Sequence, residues 1–424
     1  MGLGRFGGGV GVTRFLVEQG ADVLVTDMAE ADALGRSLAM LDDLDVTFRL
    51  GGHDPSILKG ADLLVVNPAV DRHGHAFLAE AEARGIATTS EIRLLVERLP
   101  QRRRVIGVTG SAGKSTVTAM IGHLLGRQET VHVGGNLGGS LLTDLRRIGQ
   151  GDWVVLELSS FMLEDLDVVR WSPHVAVVTN VTPNHLDRHG TFVSYVAAKQ
   201  VILDHQHDGD LAVLGPTVRE HLRPRAATAH EIGDAPPPVE LRLPGRHNQL
   251  NARLAIAAVH EAAGIGVARA AADLADFAGL PHRLQCFCEH EDVRFFNDSK
   301  STTPEAAILA IESFPPRTVH VLLGGYDKQS DLTALGRLAA ERCAGVYAIG
   351  ATGESVARAA ASGPASVSVC ETVERAVEKA VTRIRRGDVV LLSPGCASWD
   401  QFENYEARGS AFCEAVLRCT GEGA

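Results

Sequence analysis

The residues Thr109-Gly110-Ser111-Ala112-Gly113-Lys114-Ser115-Thr116 carry the clearest chemical signature in this chain. They follow an apolar run (VIGVT, residues 105–109) and open a helix-forming stretch. At such a junction, backbone amides and the first turn of the helix cradle phosphate groups. Lys114 is placed to reach β- and γ-phosphates, and the Ser115 hydroxyl to sit on Mg²⁺. The common phosphate-loop pattern has glycine six residues before the lysine. Val108 stands there, so this is a variant loop. The plain alternative is a glycine-rich turn with an incidental lysine.

A second glycine motif opens the chain. Gly2-Leu3-Gly4-Arg5-Phe6-Gly7 fits G-x-G-x-x-G, and Asp27 follows Gly7 by twenty residues at the end of an apolar run. That is the dinucleotide-binding pattern, with glycines against a pyrophosphate and the acid on a ribose hydroxyl. Alone it is weak. A nucleotide-diphosphate site or a ligand-free tight turn both satisfy it. Downstream, Glu157 lies inside an apolar run (VVLELSS), where an unpaired carboxylate is costly and a Mg²⁺ ligand is the better explanation. His185 and Lys199 taken singly read as a surface histidine and a solvated lysine. Their combination with the phosphate loop raises both.

The elements that must position these groups alternate between apolar strands and amphipathic helices, the pattern of parallel α/β sheets. Strands are expected at 22–27, 61–68, from 105, and at 153–160, 175–180 and 211–214. Others are expected at 293–297, 319–325, 345–350 and 389–394. Helices are expected at 10–19, 74–84 and 248–263. The length, 424 residues, suggests two to three domains at about 150 residues each. With 45% hydrophobic and 22% charged residues, collagen-like, disordered and disulfide-scaffold classes are excluded. A net charge of −11 argues against a nucleic-acid-coating protein. The seven cysteines lie beyond position 280 and read as buried free thiols of a reducing cytoplasm. No apolar run approaches the ~18 residues needed to span a bilayer, and no signal-peptide layout opens the chain. The run Leu99-Pro-Gln-Arg-Arg-Arg104 reads as a solvated tether, and residues 235–239 (APPPV) as an internal loop.

Taken together these motifs resemble the Mur ligase family, the ATP-dependent amide ligases of peptidoglycan precursor synthesis. The resemblance rests on the 109–116 loop, Glu157-Leu-Ser159-Ser160, Asn180 with His185 and Lys199, Gly245-Arg-His-Asn248-Gln-Leu-Asn251, and His282-Arg283. Asp298-Ser-Lys300-Ser-Thr302 and the segment Leu392–Phe402 (LSPGCASWDQF) look like the D-glutamate-adding branch. The resemblance implies an α/β fold of three domains. These would be a Rossmann-like N-terminal domain for the UDP-substrate (1–99), a P-loop-type central ATPase domain (100–280) and a Rossmann-like C-terminal domain for the amino acid (281–424).

It also implies roles. Gly110, Ser111, Ala112, Gly113, Lys114, Ser115 and Thr116, with Asn248, Asn251, Arg283 and Asp298, would hold ATP. Gly4, Asp27, Asn67, Asn136, Ser159 and His185 would hold UDP-N-acetylmuramoyl-L-alanine. Lys300, Thr302, Lys328 and Ser398 would bind D-glutamate, with the Tyr405 ring nearby. Lys114, Glu157, His185 and Lys199 would be catalytic. Ser115, Glu157, His185 and a carbamylated Lys199 would serve two Mg²⁺ sites. A cytoplasmic monomer without nucleic-acid partners is expected.

The chain departs from the family pattern at Ala112, where asparagine is frequent, and at Asn67-Pro-Ala69, where Ser-Pro-Gly is usual. Asp27-Met-Ala29 replaces polar neighbours of the uracil site. Met1 stands directly before Gly2-Leu-Gly4, leaving no room for the buried strand that a Rossmann-like unit places there. The expectation is therefore that the first strand is missing and that the true start lies upstream. Rival readings are another ligase of the superfamily, such as a folylpolyglutamate synthase, a NAD-dependent dehydrogenase using the first glycine motif, and a non-catalytic UDP-sugar sensor. The dehydrogenase leaves the 109–116 loop unexplained, and the sensor has no use for Lys114, Glu157, His185 and Lys199 together.

Overall fold

The apolar runs become parallel strands in the computed structural model, which describes residues 1–4, 7–72, 74–225, 228–233, 239–327 and 330–421. Near the start, β1 (Leu24–Asp27) pairs in parallel with β2 (Thr47–Leu50), and β3 (Leu63–Val65) with β4 (Ala87–Thr89). Met1 and Gly2 run between the two pairs. The Met1 amine donates to the Val65 carbonyl (2.9 Å), the Asn67 N–H donates to the Met1 carbonyl (3.0 Å), and the Gly2 N–H donates to that of Thr26 (2.8 Å).

The next six strands are β5 (Val105–Thr109), β6 (Val131–Gly135), β7 (Trp153–Glu157), β8 (Val175–Val178), β9 (Leu211–Leu214) and β10 (Thr228–Glu231). They form one sheet in the order β10-β9-β8-β5-β7-β6, parallel throughout. Strands β5, β7 and β8 are buried along their whole length, as continuous Val/Ile/Leu runs require. The chain goes from β5 to one side of the sheet and later returns to the other. Such a reversal opens a crevice at the carboxyl ends of the strands, where α/β proteins bind ligands. The phosphate loop leaves β5 at that end.

The last six strands are β11 (Gln285–His290), β12 (Val293–Asn297), β13 (Val319–Gly324), β14 (Gly345–Ile349), β15 (Ser366–Glu371) and β16 (Val389–Leu392). Their order is β11-β12-β16-β13-β14-β15, with β11 antiparallel and the rest parallel.

The chain divides into two compact units, Met1–Val239 with Leu250–Leu274, and Glu240–Gln249 with Ala275–Ala424. In the first, Phe15, Ile92 and Leu95 share one apolar cluster with Leu156, Leu163 and Val178 around the central sheet. The second packs two clusters, one containing Phe296, Val321 and Leu391, the other Phe295, Leu322 and Phe412.

Three local expectations change. The 99–104 run is not a solvated tether. Arg102 grips the buried Asp210 carboxylate with two bonds (2.8 and 2.9 Å), while Arg104 pairs with Glu129 and lies over the Trp153 ring. The cysteines are all unpaired, but only Cys288, Cys343, Cys370 and Cys396 are buried; Cys286 and Cys413 are half-buried and Cys419 is exposed. Strands β2, β4, β6, β10, β11 and β15 were not expected. The loop expected at 235–239 lies, apart from Val239, outside the described residues. Among the described residues no helix is long and apolar enough to cross a membrane.

Candidate active site

The phosphate loop is built around two glycines that no other residue replaces. Gly110 has φ 146°, and a Cβ there would sit 1.9 Å from the Thr179 hydroxyl oxygen. Gly113 has φ 81° and precedes the helix Lys114–Gly126; its Cβ would sit 2.5 Å from Asn251 Oδ1. Asn251, far off in sequence, thus lies against the loop. Ala112 is held by its backbone. Its N–H donates to Asn180 Oδ1 (3.0 Å), while its carbonyl accepts from Asn180 Nδ2 (3.1 Å) and from the Thr179 hydroxyl (2.5 Å). Ser111 is anchored likewise, its hydroxyl donating to the Thr182 carbonyl (2.8 Å) and meeting the Tyr195 hydroxyl (2.9 Å). Ser115 is buried and Thr116 half-buried at the helix start. No acidic residue occupies that first turn, so the positive end of the helix dipole is left for an anion.

Two lysines converge on this loop. Lys114 Nζ curls back to the carbonyls of Gly110 (3.0 Å) and Ser111 (3.3 Å). Lys199, on the helix Phe192–Asp204, is 1% exposed; it donates to the same Gly110 carbonyl (2.9 Å) and to the Thr109 hydroxyl (3.3 Å). Its ammonium lies over the Tyr195 ring, 4.7 Å from the centroid. Burial first, then the Lys114 charge, push its pKa well below the usual lysine range, with Glu157 opposing. Glu157, at the end of β7, is 1% exposed. Its Oε1 accepts from Asn136 Nδ2 (2.9 Å), while Oε2 is buried with no hydrogen-bond partner among the described residues. His185 has φ 50° and stands before the short helix Leu186–His189, edge-on to Phe161. Partial desolvation, then the Lys114 charge, lower its pKa, which favours the neutral imidazole that can act as a ligand, although the residue as a whole is exposed.

Gly4, Asp27 and Asn67 come together on the N-terminal side. The Gly4 N–H donates to Asp27 Oδ2 (3.0 Å), Ala29 N–H to Asp27 Oδ1 (2.9 Å), and a Cβ on Gly4 would lie 3.7 Å from Asn67 Nδ2. Ser159 caps the helix Ser160–Val168, its hydroxyl oxygen accepting from the Met162 N–H (3.2 Å).

The second unit carries most of the remaining candidates, with Asp298, Lys300 and Thr302 following β12 and Ser398 following β16. Asp298 is buried and accepts from the Ser301 (2.6 Å) and Ser393 (2.8 Å) hydroxyls and the Leu284 N–H (3.0 Å). Burial outweighs these bonds and the Arg283 charge, raising its pKa to about 6. Lys300 Nζ lies 5.1 Å from the Tyr405 ring centroid, and Ser398 is buried. Thr302 lines a cleft with Tyr326, Asp327, Ser330, Leu332, Thr352 and Cys396. Asn248 Nδ2 donates to the Pro244 carbonyl (2.7 Å). Lys328 lies outside the described residues.

Sequence reasoning did not assign roles to Thr179, Tyr195, Phe161 or Arg188. The first two brace the phosphate loop, and the Arg188 guanidinium lies over Phe161, 5.0 Å from the ring centroid. None has a motif of its own; only the proximity of Asn180 to His185 in sequence pointed to the segment that contains Thr179 and Arg188.

Comparison with known proteins accords with this layout. The chain matches the Mur ligase MurD-like N-terminal domain over residues 1–90, the Mur ligase middle domain over 108–234 and the Mur ligase glutamate ligase domain over 282–396. A "UDP-N-acetylmuramoylalanine--D-glutamate ligase" of Koribacter versatilis is 36% identical, covering 99% of this chain and 96% of that protein. One of a Roseiflexus species is 38% identical, covering 98% and 97%. Among solved structures, UDP-N-acetylmuramate-alanine ligase from Thermotoga maritima shares the fold with a TM-score of 0.63 at 18% identity, covering 99% of this chain and 98% of that one. With three domain matches in order along its length and relatives this similar across nearly all of it, the chain belongs to the Mur ligase family.

Proposed function

We propose that this protein ligates D-glutamate to UDP-N-acetylmuramoyl-L-alanine at the expense of ATP, through an acyl-phosphate intermediate. The observation that carries the reading is the meeting of Lys114, Lys199 and the Glu157–Asn136 pair at the phosphate loop. The names of the full-length relatives supply the substrates. A carboxylate is a poor acyl donor because it lacks a leaving group. Its oxygen attacks the γ-phosphorus, ADP departs, and the D-glutamate amine then attacks the activated carbonyl, losing a proton as phosphate leaves.

In this reading the loop amides of residues 110–116 and Lys114 bind the phosphates and balance charge at the transferring phosphoryl group. Residues 1–99, with Gly4, Asp27 and Asn67, hold the UDP part, while Asn136, Ser159 and His185 face its reacting end. Asn248, Asn251, Arg283 and Asp298 hold the nucleotide. Residues 281–424 take D-glutamate, with Lys300, Lys328, Thr302 and Ser398 on its carboxylates and Tyr405 nearby.

The residues fit Mg²⁺. The orphaned Glu157 Oε2 is the buried oxygen that a hard cation seeks. Among the described residues no three His, Cys, Asp or Glu side chains form a ready metal cage. Ser115, Glu157, His185 and the carbamate of Lys199 would hold the ions, phosphate oxygens completing the shell. Bound there, Mg²⁺ neutralises phosphate charge.

The test is phosphate release from ATP. It should require both UDP-N-acetylmuramoyl-L-alanine and D-glutamate, with L-glutamate and meso-diaminopimelate far weaker. Turnover with another amino acid and none with D-glutamate overturns the assignment.

A further inference from the structure

Arg408 is 1% exposed, in the first turn of the helix Tyr405–Thr420. Both facts count against a cation. Burial removes its water, and the positive end of a helix dipole repels it. Among the described residues no carboxylate forms a salt bridge with it. Every hydrogen bond of its guanidinium goes instead to two loops. Nε donates to the Ser299 hydroxyl (3.0 Å) and Nη2 to the Ser299 carbonyl (2.8 Å), while Nη1 donates to the carbonyls of Cys396 and Ala397 (3.0 Å each). A third loop is joined through Ala397, whose carbonyl also accepts from the Tyr326 N–H (2.9 Å). The backbone is close enough there that a Cβ on Gly325 would lie 3.1 Å from Nη1.

We infer that Arg408 is the positioning residue that sets the spacing of the amino-acid site, by locking the loop after β12 to the loop after β16. The inference rests on the reading of the second unit as that site. Ser299 stands between Asp298 and Lys300, and Ala397 stands directly before Ser398. One rigid guanidinium therefore fixes the backbone beside groups proposed for the amino acid in the loops after two separate strands. A planar fork with five donors spans both loops; the single ammonium of lysine cannot. A buried guanidinium held on backbone carbonyls despite its desolvation cost is the arrangement a device for geometric specificity uses.

Three variants test this in the full-length enzyme: Arg408→Lys, Arg408→Met and, as a milder change, Ser299→Ala, which removes one acceptor of Arg408 together with the hydroxyl's donation to the Tyr405 carbonyl (2.8 Å) but keeps the Ser299 carbonyl. Arg408→Lys should raise the KM for D-glutamate at least tenfold, with the KM values for ATP and the UDP-substrate within about threefold. Arg408→Met should do more, so that lysine rescues part of the loss. Hydrogen exchange should quicken together at residues 299–302 and 395–398 while β13 keeps its protection. If the Arg408 variants do not fold, Ser299→Ala decides by the same two measurements. An unchanged KM for D-glutamate in the folded variants, or protection lost uniformly through the second unit, overturns the inference and leaves a structural staple. If the wild type ignores D-glutamate the proposed function fails, yet the exchange pattern still reports on the locking of the loops.

Discussion

Lys114 and Lys199 donate to one oxygen atom, the carbonyl of Gly110, from 3.0 and 2.9 Å. Burial of Lys199 disfavours its charge most, and the second cation on the same acceptor adds repulsion. The depressed pKa of Lys199 follows. A neutral amine can attack CO₂, forming an N–C bond and releasing a proton, which turns a strained cation into an oxygen ligand.

Carbamylation of Lys199 is therefore expected to set the activity. CO₂-depleted buffer should lower turnover, bicarbonate should restore it, and the dependence should steepen toward acid as the amine protonates. Lys199→Ala should lose most activity and regain part of it with short carboxylic acids. Full activity in the Lys199→Ala enzyme would falsify the role.

Arg188 offers a second test. Its guanidinium donates to the carbonyls of Ala69 (3.3 Å) and Val70 (2.9 Å), three residues beyond His185 in sequence. The loop following Asn67 is thereby held to the segment that carries His185. Arg188→Ala should raise the KM for the UDP-substrate about 5–30-fold, the equivalent of about 1–2 kcal/mol after solvent screening. The KM for ATP should change little. Steady-state kinetics with each substrate varied checks this, and equal effects on both would count against it.

The raised pKa of Asp298 makes a statement about stability. Folded, the carboxyl keeps its proton to about pH 6; unfolded, it releases it near 4. Between these values the folded state binds more protons, so this group's contribution falls as pH rises, by about 3 kcal/mol in all. Urea unfolding of the wild type and Asp298→Asn between pH 4 and 7 should give curves that diverge in that sense. Parallel curves would refute it.

Asn180 should matter to nucleotide binding without touching the phosphates. Its amide holds Ala112 from both sides. Asn180→Ala should weaken ATP binding about tenfold, a net loss of about 1–2 kcal/mol for two hydrogen bonds. Calorimetric titration with a non-hydrolysable ATP analogue measures it. Gly110→Ala should abolish binding, since its Cβ would overlap Thr179.

Read alone, the sequence determined the local features. Strands β5, β7 and β8 were legible because they are buried on both faces and must be apolar throughout. The phosphate loop was legible because its chemistry needs glycines and a lysine within a few adjacent positions. The strands that escaped notice, β2, β4, β6, β10, β11 and β15, all lie at a sheet edge or in a two-stranded pair. One side of such a strand lacks a neighbour, so its burial and its apolar pattern are incomplete. Only the tertiary structure decided that Lys199 shares the Gly110 carbonyl with Lys114, that Asn251 lies against Gly113, and that Arg408 joins Ser299 to Ala397. Apart from Lys114 with Gly110 and Arg408 with Ala397, these partners stand tens of residues or more apart, and most of the bonds end on backbone carbonyls, which every residue type possesses. No pattern of side chains along the chain can announce them.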